Sequence, residues 1–469
     1  VSVRYFATRL LGDGTEKLLA EALPIGGGRT TQVLTGHNSL QGTITPELAR
    51  LQTTTGPLFE PWSTCIYAEV DKVIVGAGIL NTIDTTGPQL TLDCVGFTAY
   101  PDGMPYIGEW SRIGVDPIAA FRQAWAHLQT QPAGNLGLDV DTTAASPVRL
   151  GKPGVPAYTE AQIGTAWLRT TTLPPGTVEP PASSALAAAI TATAATMKLT
   201  KLDRFGQLRT PFDVTVGDEV IRVGAVNQTT LVCSGLTRGV GSTSPGAHSK
   251  GVQVNRKGTN VRTVPAVAAE PYVLADWCTD DLGAAVTTLA KDTPFDWVES
   301  HAWDGDTIAH TLRLGYPRIG RRRPELRFVA GENVTVDPKV SWSGEEYADE
   351  VLMLGAGEGR KMVRARAFRD SARLRRVAVV ADSRVRSQAS ANAAAARAVA
   401  LRRGLPDVTE ITVTRATPGL GDEIRLLGSG TGWAGKLDVW VRVLSITRSP
   451  DDTDRATLTV RRADKGAES

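Results

Sequence analysis

The first hundred residues read as strands and turns. Cys65 to Val70 and Val73 to Leu80 are apolar-rich runs on either side of Asp71-Lys72, which predicts a hairpin. Gly26-Gly27-Gly28 and Thr53-Thr54-Thr55-Gly56-Pro57 mark loops. The period then changes. Asp116 can cap a helix that Pro117 opens, and Ile118, Phe121, Trp125 and Leu128 form its apolar stripe, with His127 off it. Residues 151–181 are rich in Pro, Gly and Thr and connect units rather than form a core. Beyond them, Ala187 to Leu199 alternates Ile190, Ala192 and Ala194 with threonines and reads as a strand. Short strands at Phe212 to Val216, Glu219 to Val223 and Thr229 to Cys233 follow, a β module that folds alone only marginally.

A second helix is expected after Thr279 as cap, with Leu282, Val286 and Leu289 buried. Phe295 to Trp303 and Thr307 to Leu314 flank Asp304-Gly305-Asp306, a strong hairpin signal. Ser387 to Arg403 is an alanine-rich helix stopped by Gly404. Strands close the chain at Asp422 to Leu427, Leu437 to Ile446 and Arg455 to Arg461. In the long one, Val439, Val441 and Val443 alternate with little to blunt an edge, which invites a neighbour.

Composition narrows the classes without choosing one. At 469 residues the chain has room for roughly three domains. Hydrophobic residues are 42% and charged residues 21%, which excludes wholesale disorder. No run of ~18 apolar residues points to a membrane helix, and the start VSVRYFATRL lacks the pattern of a secretory signal. A formal charge of +2 argues against a globally basic nucleic-acid binder. Cys65, Cys94, Cys233 and Cys278 form no CxxC pair, so neither a disulfide framework nor a zinc site is expected.

The candidate chemistry is sparse. His301, Asp304, Asp306 and His310 are the best metal-ligand cluster, although Asp-Gly-Asp is what a tight turn uses and the turn separates the two histidines. Asp451, Asp452 and Asp454 lack the Gly and Glu of a calcium loop. Gly428-Ser429-Gly430 is too short for a nucleophile elbow. Glu345-Glu346 and Asp349-Glu350 read as a polar helix or strand face. The clear anomaly is Arg360 to Arg386, where ten basic residues stand against Asp370 and Asp382, a charge of +8 in 27 residues. Arg360, Lys361, Arg364, Arg366, Arg369, Arg373, Arg375 and Arg376 form its candidate assembly or channel-lining set, with Val377 to Ala381 as a short core strand among them. Nucleic-acid contact is the other reading, since phosphate contacts dominate such affinity.

Several short motifs, in order, resemble one family. They are Tyr5-Phe6-Ala7, Leu40-Gln41-Gly42-Thr43, Trp62 before the hairpin through Val73 to Ile79, and the helix from Asp116-Pro117 to Gln129. Gly331-Glu332-Asn333-Val334, the run Tyr347 to Gly357, and Pro418-Gly419-Leu420-Gly421-Asp422 continue the series. Together they resemble the tail hub, or minor tail, proteins of long-tailed actinobacteriophages, which are similar to the baseplate hub of contractile tails. The resemblance covers nearly all of residues 1–150 and 262–465.

The resemblance implies a mainly β chain with some α structure (α+β): two β-barrel-like hub domains at 1–112 and 331–469, the second carrying the alanine-rich helix. It also implies an α/β middle region at 113–178 and 263–330, and an inserted small β module at 179–262. It implies no enzyme activity and no cofactor. The role would be a homotrimeric ring at the tip of the virion tail, made in the host bacterial cytoplasm and lining or closing the DNA channel. Such a ring would join a six-fold tube and distal tail ring to three-fold tip or fibre proteins. The tape-measure protein would be a partner, genomic DNA a passing one, the host envelope one reached through neighbouring proteins, and the membrane none. A receptor- or carbohydrate-binding tail protein using Trp110, Trp167 or Trp303 is the alternative.

Overall fold

The computed structural model describes the chain except residues 1, 50, 55, 87–88, 294, 358, 360–361, 383–384, 386–387, 405–406, 415–417, 429–436 and 464–469. It is mainly β with a few helices. Two compact units divide it, Val1–Gly151 with Tyr272–Ser469, and Lys152–Pro271.

The first unit is organised by a 13-stranded sheet. Its N-terminal lobe runs in the order Glu16–Ala20, Val3–Leu10, Thr64–Val70, Val73–Thr86, Gln89–Val95, Ser39–Ile44 and Gly26–Val33. The predicted hairpin is present: Asp71 and Lys72 both have positive φ (46° and 67°), which suits a two-residue turn to the strand twist. Alternation sorts the side chains. Tyr5, Ala7, Ile66 and Ala68 face a core inside the lobe, while Phe6, Cys65 and Tyr67 face a second core outside it. Val3–Leu10 and Thr64–Val70 are therefore buried on both faces. The glycine triplet is part of the strand Gly26–Val33 and not a free loop. A Cβ on Gly28 would stand 1.8 Å from the Tyr5 hydroxyl, so the close approach of the ring requires glycine there.

The C-terminal lobe continues the sheet through Leu437–Ser449, Asp452–Arg462, Asp407–Thr414 and Val334–Ser341. Glu423–Gly428 also pairs with Leu437–Ser449 and holds Arg322–Val329 in parallel. The two lobes join where Thr30 lies opposite Arg448 and Val33 opposite Ser445. Leu437–Ser449 is thus no edge awaiting a neighbour. Its 13 residues are long enough to meet Glu423–Gly428, Gly26–Val33 and Asp452–Arg462, and Val441 and Val443 are fully buried.

Two helices and a hairpin share a core with the outer face of the N-terminal lobe. Asp116 caps the helix Pro117–Thr130 by accepting from the Ile118 N–H, and the predicted stripe is buried. In the helix Leu282–Asp292 the cap is Asp281 rather than Thr279, since the carboxylate at 281 reaches the Ala284 N–H. Both helices and the hairpin Asp296–Asp304/Thr307–Gly315 pack on Phe6, Tyr67 and Phe97.

The unit Lys152–Pro271 has its own core, including Leu186, Phe205, Phe212, Val214, Val216, Ile221 and Val254. Ala187 to Leu199 is not one strand there. Ile190 is bonded to the His248 backbone in both directions, and only Thr196–Lys198 joins a sheet. Glu219 sits at the centre of a clasp, its side chain 2% exposed. It accepts from Arg238 at 2.7 Å, His248 at 2.7 Å and the N–H groups of Gly239 and Gly246 at 3.1 Å.

Candidate functional site

Two groups of polar residues in the first unit stand out. The first is buried between the N-terminal lobe and the hairpin. Glu299 and His301 are two apart on one strand and so share a face, and His310 is the direct cross-strand partner of His301. The turn therefore unites the two histidines, with Nδ1 atoms 2.8 Å apart. His301 Nε2 lies 2.8 Å from Glu299, and His310 Nε2 lies 3.2 Å from Glu16. Glu16 also accepts from the Tyr67 and Thr8 hydroxyls at 2.6 and 2.8 Å. Glu299 accepts from the Phe97 and Thr98 N–H groups, both at 2.9 Å.

Burial alone would raise both carboxyls. For Glu16, the hydrogen bonds and charge of His310, with Tyr67 and Thr8, hold it below the usual carboxylate range instead. For Glu299, His301 and the two backbone N–H groups do the same. Asp304 and Asp306 remain at the exposed end of the hairpin, outside this chain of contacts. Among the described residues no group of three or more His, Cys, Asp or Glu is placed to hold a metal ion. Glu16–His310–His301–Glu299 is a polar tie that fastens the hairpin to the sheet.

The second group is the arginine-rich segment. Glu350–Leu354 is the centre of a three-stranded sheet, antiparallel to Arg364–Phe368 and parallel to Val377–Ala381. One face carries Met353 and Ala365 against Ala391 and Ala395 of the helix Gln388–Leu401. By alternation the other face presents Glu350, Leu352, Arg364, Arg366, Phe368, Val377 and Val379. Phe368 is 61% exposed and Val379 is 59% exposed. Val377–Ala381 is therefore an exposed edge strand and not a core strand. Among the described residues only Glu350–Leu354 pairs with it, and its outward side chains are exposed.

The acidic pair taken as a polar face proves to be buried. The Glu350 side chain is 3% exposed and bonded to Arg366 and Arg375, and Asp349 accepts from the Arg376 backbone N–H. The Arg366 hydrogen bond, with that of Arg375, keeps the Glu350 carboxyl low despite desolvation. Arg369 donates to the carbonyls of Ala348 and Arg402, both at 3.2 Å, and Arg373 lies over Trp342 and Tyr347. Arg364 is exposed and has no carboxylate partner among the described residues. Arg360 and Lys361 lie outside the described residues, as do Ser429 and Gly430. The alternation Arg364-x-Arg366 was the sequence signal that these charges share a face. Nothing local marked Glu350 as their counter-charge.

No protein-family model matches the chain, and no curated protein does. Among solved structures it is similar to a prophage tail protein from Listeria monocytogenes, at 7% identity and a TM-score of 0.44, over 98% of this chain and 94% of that one. A 43 kDa prophage tail protein from Shewanella oneidensis gives 10% identity and a TM-score of 0.44, over 98% and 99%. A tail protein from Neisseria meningitidis gives 12% and 0.43, over 98% and 96%.

Each tryptophan considered for sugar stacking has a neighbour against its ring, and Trp303 is still 36% exposed. Trp110 packs against the core beside Tyr272, and Trp303 stacks on Phe6 while its indole N–H donates to Glu69. In the other unit, Arg262 lies over the Trp167 ring, 4.3 Å from its centre.

Proposed function

We propose that this chain is a structural tail hub protein of a long-tailed phage, without enzymatic activity, and that three copies form a ring at the tail tip. The observation carrying this reading is the two-lobed sheet. Each lobe has its own core, and the two are joined through Gly26–Val33 and Leu437–Ser449. Three such chains present six lobes, which suits a six-fold tube above and a three-fold tip below, through heterologous contacts that close by rotation. The order of the family-like motifs along the chain supports the same reading.

In this role the protein meets a distal tail ring, a tape-measure protein and tip or fibre proteins, and lets genomic DNA pass. The deciding measurement is the copy number in assembled tails, by imaging or calibrated mass. Three copies are expected; one or six would overturn the ring. The segment 179–262 is proposed as an insertion, since Lys152–Pro271 carries its own core. Replacing 179–262 by a short Gly-Ser bridge is expected to leave the remainder soluble and ring-forming.

A further inference from the structure

We infer that the free face and edge of the sheet Glu350–Leu354/Arg364–Phe368/Val377–Ala381 dock the acidic N-terminal region, residues 1–112, of a second copy of this chain. The inference rests on the self-assembling ring proposed above and assigns the face that makes it. Three observations lead to it.

The first is the edge itself. Val377–Ala381 reads Val-Ala-Val-Val-Ala, with no proline, charge or bulge, and is paired on one side among the described residues. Such an edge is what proteins ordinarily blunt. The edge strand Val334–Ser341 of the large sheet is treated differently, with Pro338 in its middle and repeated register shifts. The second observation is the apolar patch. Val377, Val379 and Phe368 are exposed on the face opposite the helix, with Leu352 between them.

The third is charge. Residues 1–112 hold 11 acidic and 7 basic side chains, whereas residues 331–469 hold 19 acidic and 23 basic ones. The regions are thus −4 and +4 in a chain of +2 overall. Much of the excess at the C-terminal end stands on or beside this face, as Arg364, Arg366, Arg375 and Arg376. The acidic excess of the first region is exposed, as at Asp13, Glu21, Glu60, Asp71 and Asp84. That region also offers the strand Glu16–Ala20, paired on one side only among the described residues, with Leu18 50% exposed. Opposite charges at the two ends of one chain favour head-to-tail contact between copies over contact of like regions. A heterologous contact of that kind forms a ring when its rotation closes, here after three copies.

The test uses the full chain with a photo-crosslinking residue at position 379, isotope-mixed so that links between copies are distinguished from links within one. Links from position 379 to residues 1–112 of another copy are expected. Links to another region of a second copy only, or no link between copies, overturn the inference. In parallel, Val379→Asp, which puts an acidic group where the acidic region docks, is expected to keep the thermal melt and to raise the dissociation constant for self-association about tenfold or more. The wild-type constant itself should weaken as salt rises from about 0.05 to 0.5 M. An unchanged constant for Val379→Asp, with three copies still found per tail, overturns this face and leaves the hub reading standing. A wild-type chain that never self-associates, in solution or in tails, overturns both.

Discussion

Glu219 and Glu350 are both buried carboxylates gripped by arginine, and they belong to two different kinds of construction. Around Glu219 the clasp is closed. The Arg238 side chain is 8% exposed, and His248 and two backbone N–H groups complete the shell. Around Glu350 the carboxylate is hidden, but Arg366 and Arg375 are 62% and 61% exposed and belong to an open face. A closed shell shows a charge that holds the chain to itself. An open one shows charges still available to something outside.

The largest effect that could break this contrast is at Glu219. Glu219→Ala leaves Arg238 buried without its anion and strips two N–H groups of their acceptor. Removing one partner of a buried pair costs about 3–5 kcal/mol. Hydrogen exchange on the full chain should show residues 152–271 losing protection while the large sheet keeps it. Equal loss in both units, or none, would show that the clasp does not hold that unit together.

Acid titration sharpens the same point. Burial would raise the Glu219 carboxyl, but Arg238, His248 and the Gly246 and Gly239 N–H groups outweigh it and bring it from 4.5 to about 2. A carboxyl depressed in the fold stabilises fully above its unfolded value, and that stability is lost as pH falls through the folded one. Stability of Lys152–Pro271 should therefore decline as pH falls from about 4.5 to about 2, and this part of the slope should vanish in Glu219→Gln. A Glu219 side-chain carbon that titrates near 4.5 by NMR would remove the basis for the contrast.

How much of this was legible in the sequence depended on range. The turn at Asp71-Lys72 and the helix opened by Asp116-Pro117 follow from neighbours in the chain. So, in principle, does the histidine pair: His301 lies three residues before Asp304 and His310 three after Thr307, which makes them cross-strand partners. The pairing of Gly26–Val33 with Leu437–Ser449 carries no local signal, because Thr30 and Arg448 are 418 residues apart. Val377 to Ala381 looked like core because apolar composition reports what a strand could bury and not whether anything covers it. Glu350 reads as a polar face for a related reason. Its burial comes from Arg366 and Arg375, which reach it from other segments.

An intermediate effect is expected in the histidine chain. His310→Phe keeps an aromatic ring against Phe97 and Tyr67 but removes the donor to Glu16 and the contact with His301. Glu16 retains Tyr67 and Thr8, so the loss should be smaller than for Glu219→Ala, within about 1–3 kcal/mol. Chemical denaturation should show a lower midpoint with an unchanged slope. A variant as stable as the wild type would mean that the ring fills space and the tie contributes nothing.

The smallest change in stability is the most informative about the open site. Arg375→Ser leaves Glu350 with Arg366, and both arginine side chains are mostly in water, where an ion pair contributes little. Arg238→Ser leaves Glu219 with His248 and two N–H groups in a buried shell, where the lost partner is not replaced by solvent. The melting temperature should therefore barely move in Arg375→Ser and should fall clearly in Arg238→Ser. Self-association should respond in the opposite order, weakening for Arg375→Ser at low salt and remaining unchanged for Arg238→Ser wherever that variant is folded. If Arg375→Ser unfolds the chain as readily as Arg238→Ser, the arginines of the open sheet are structural. The +8 segment would then be spent inside the subunit, with little left for a neighbour.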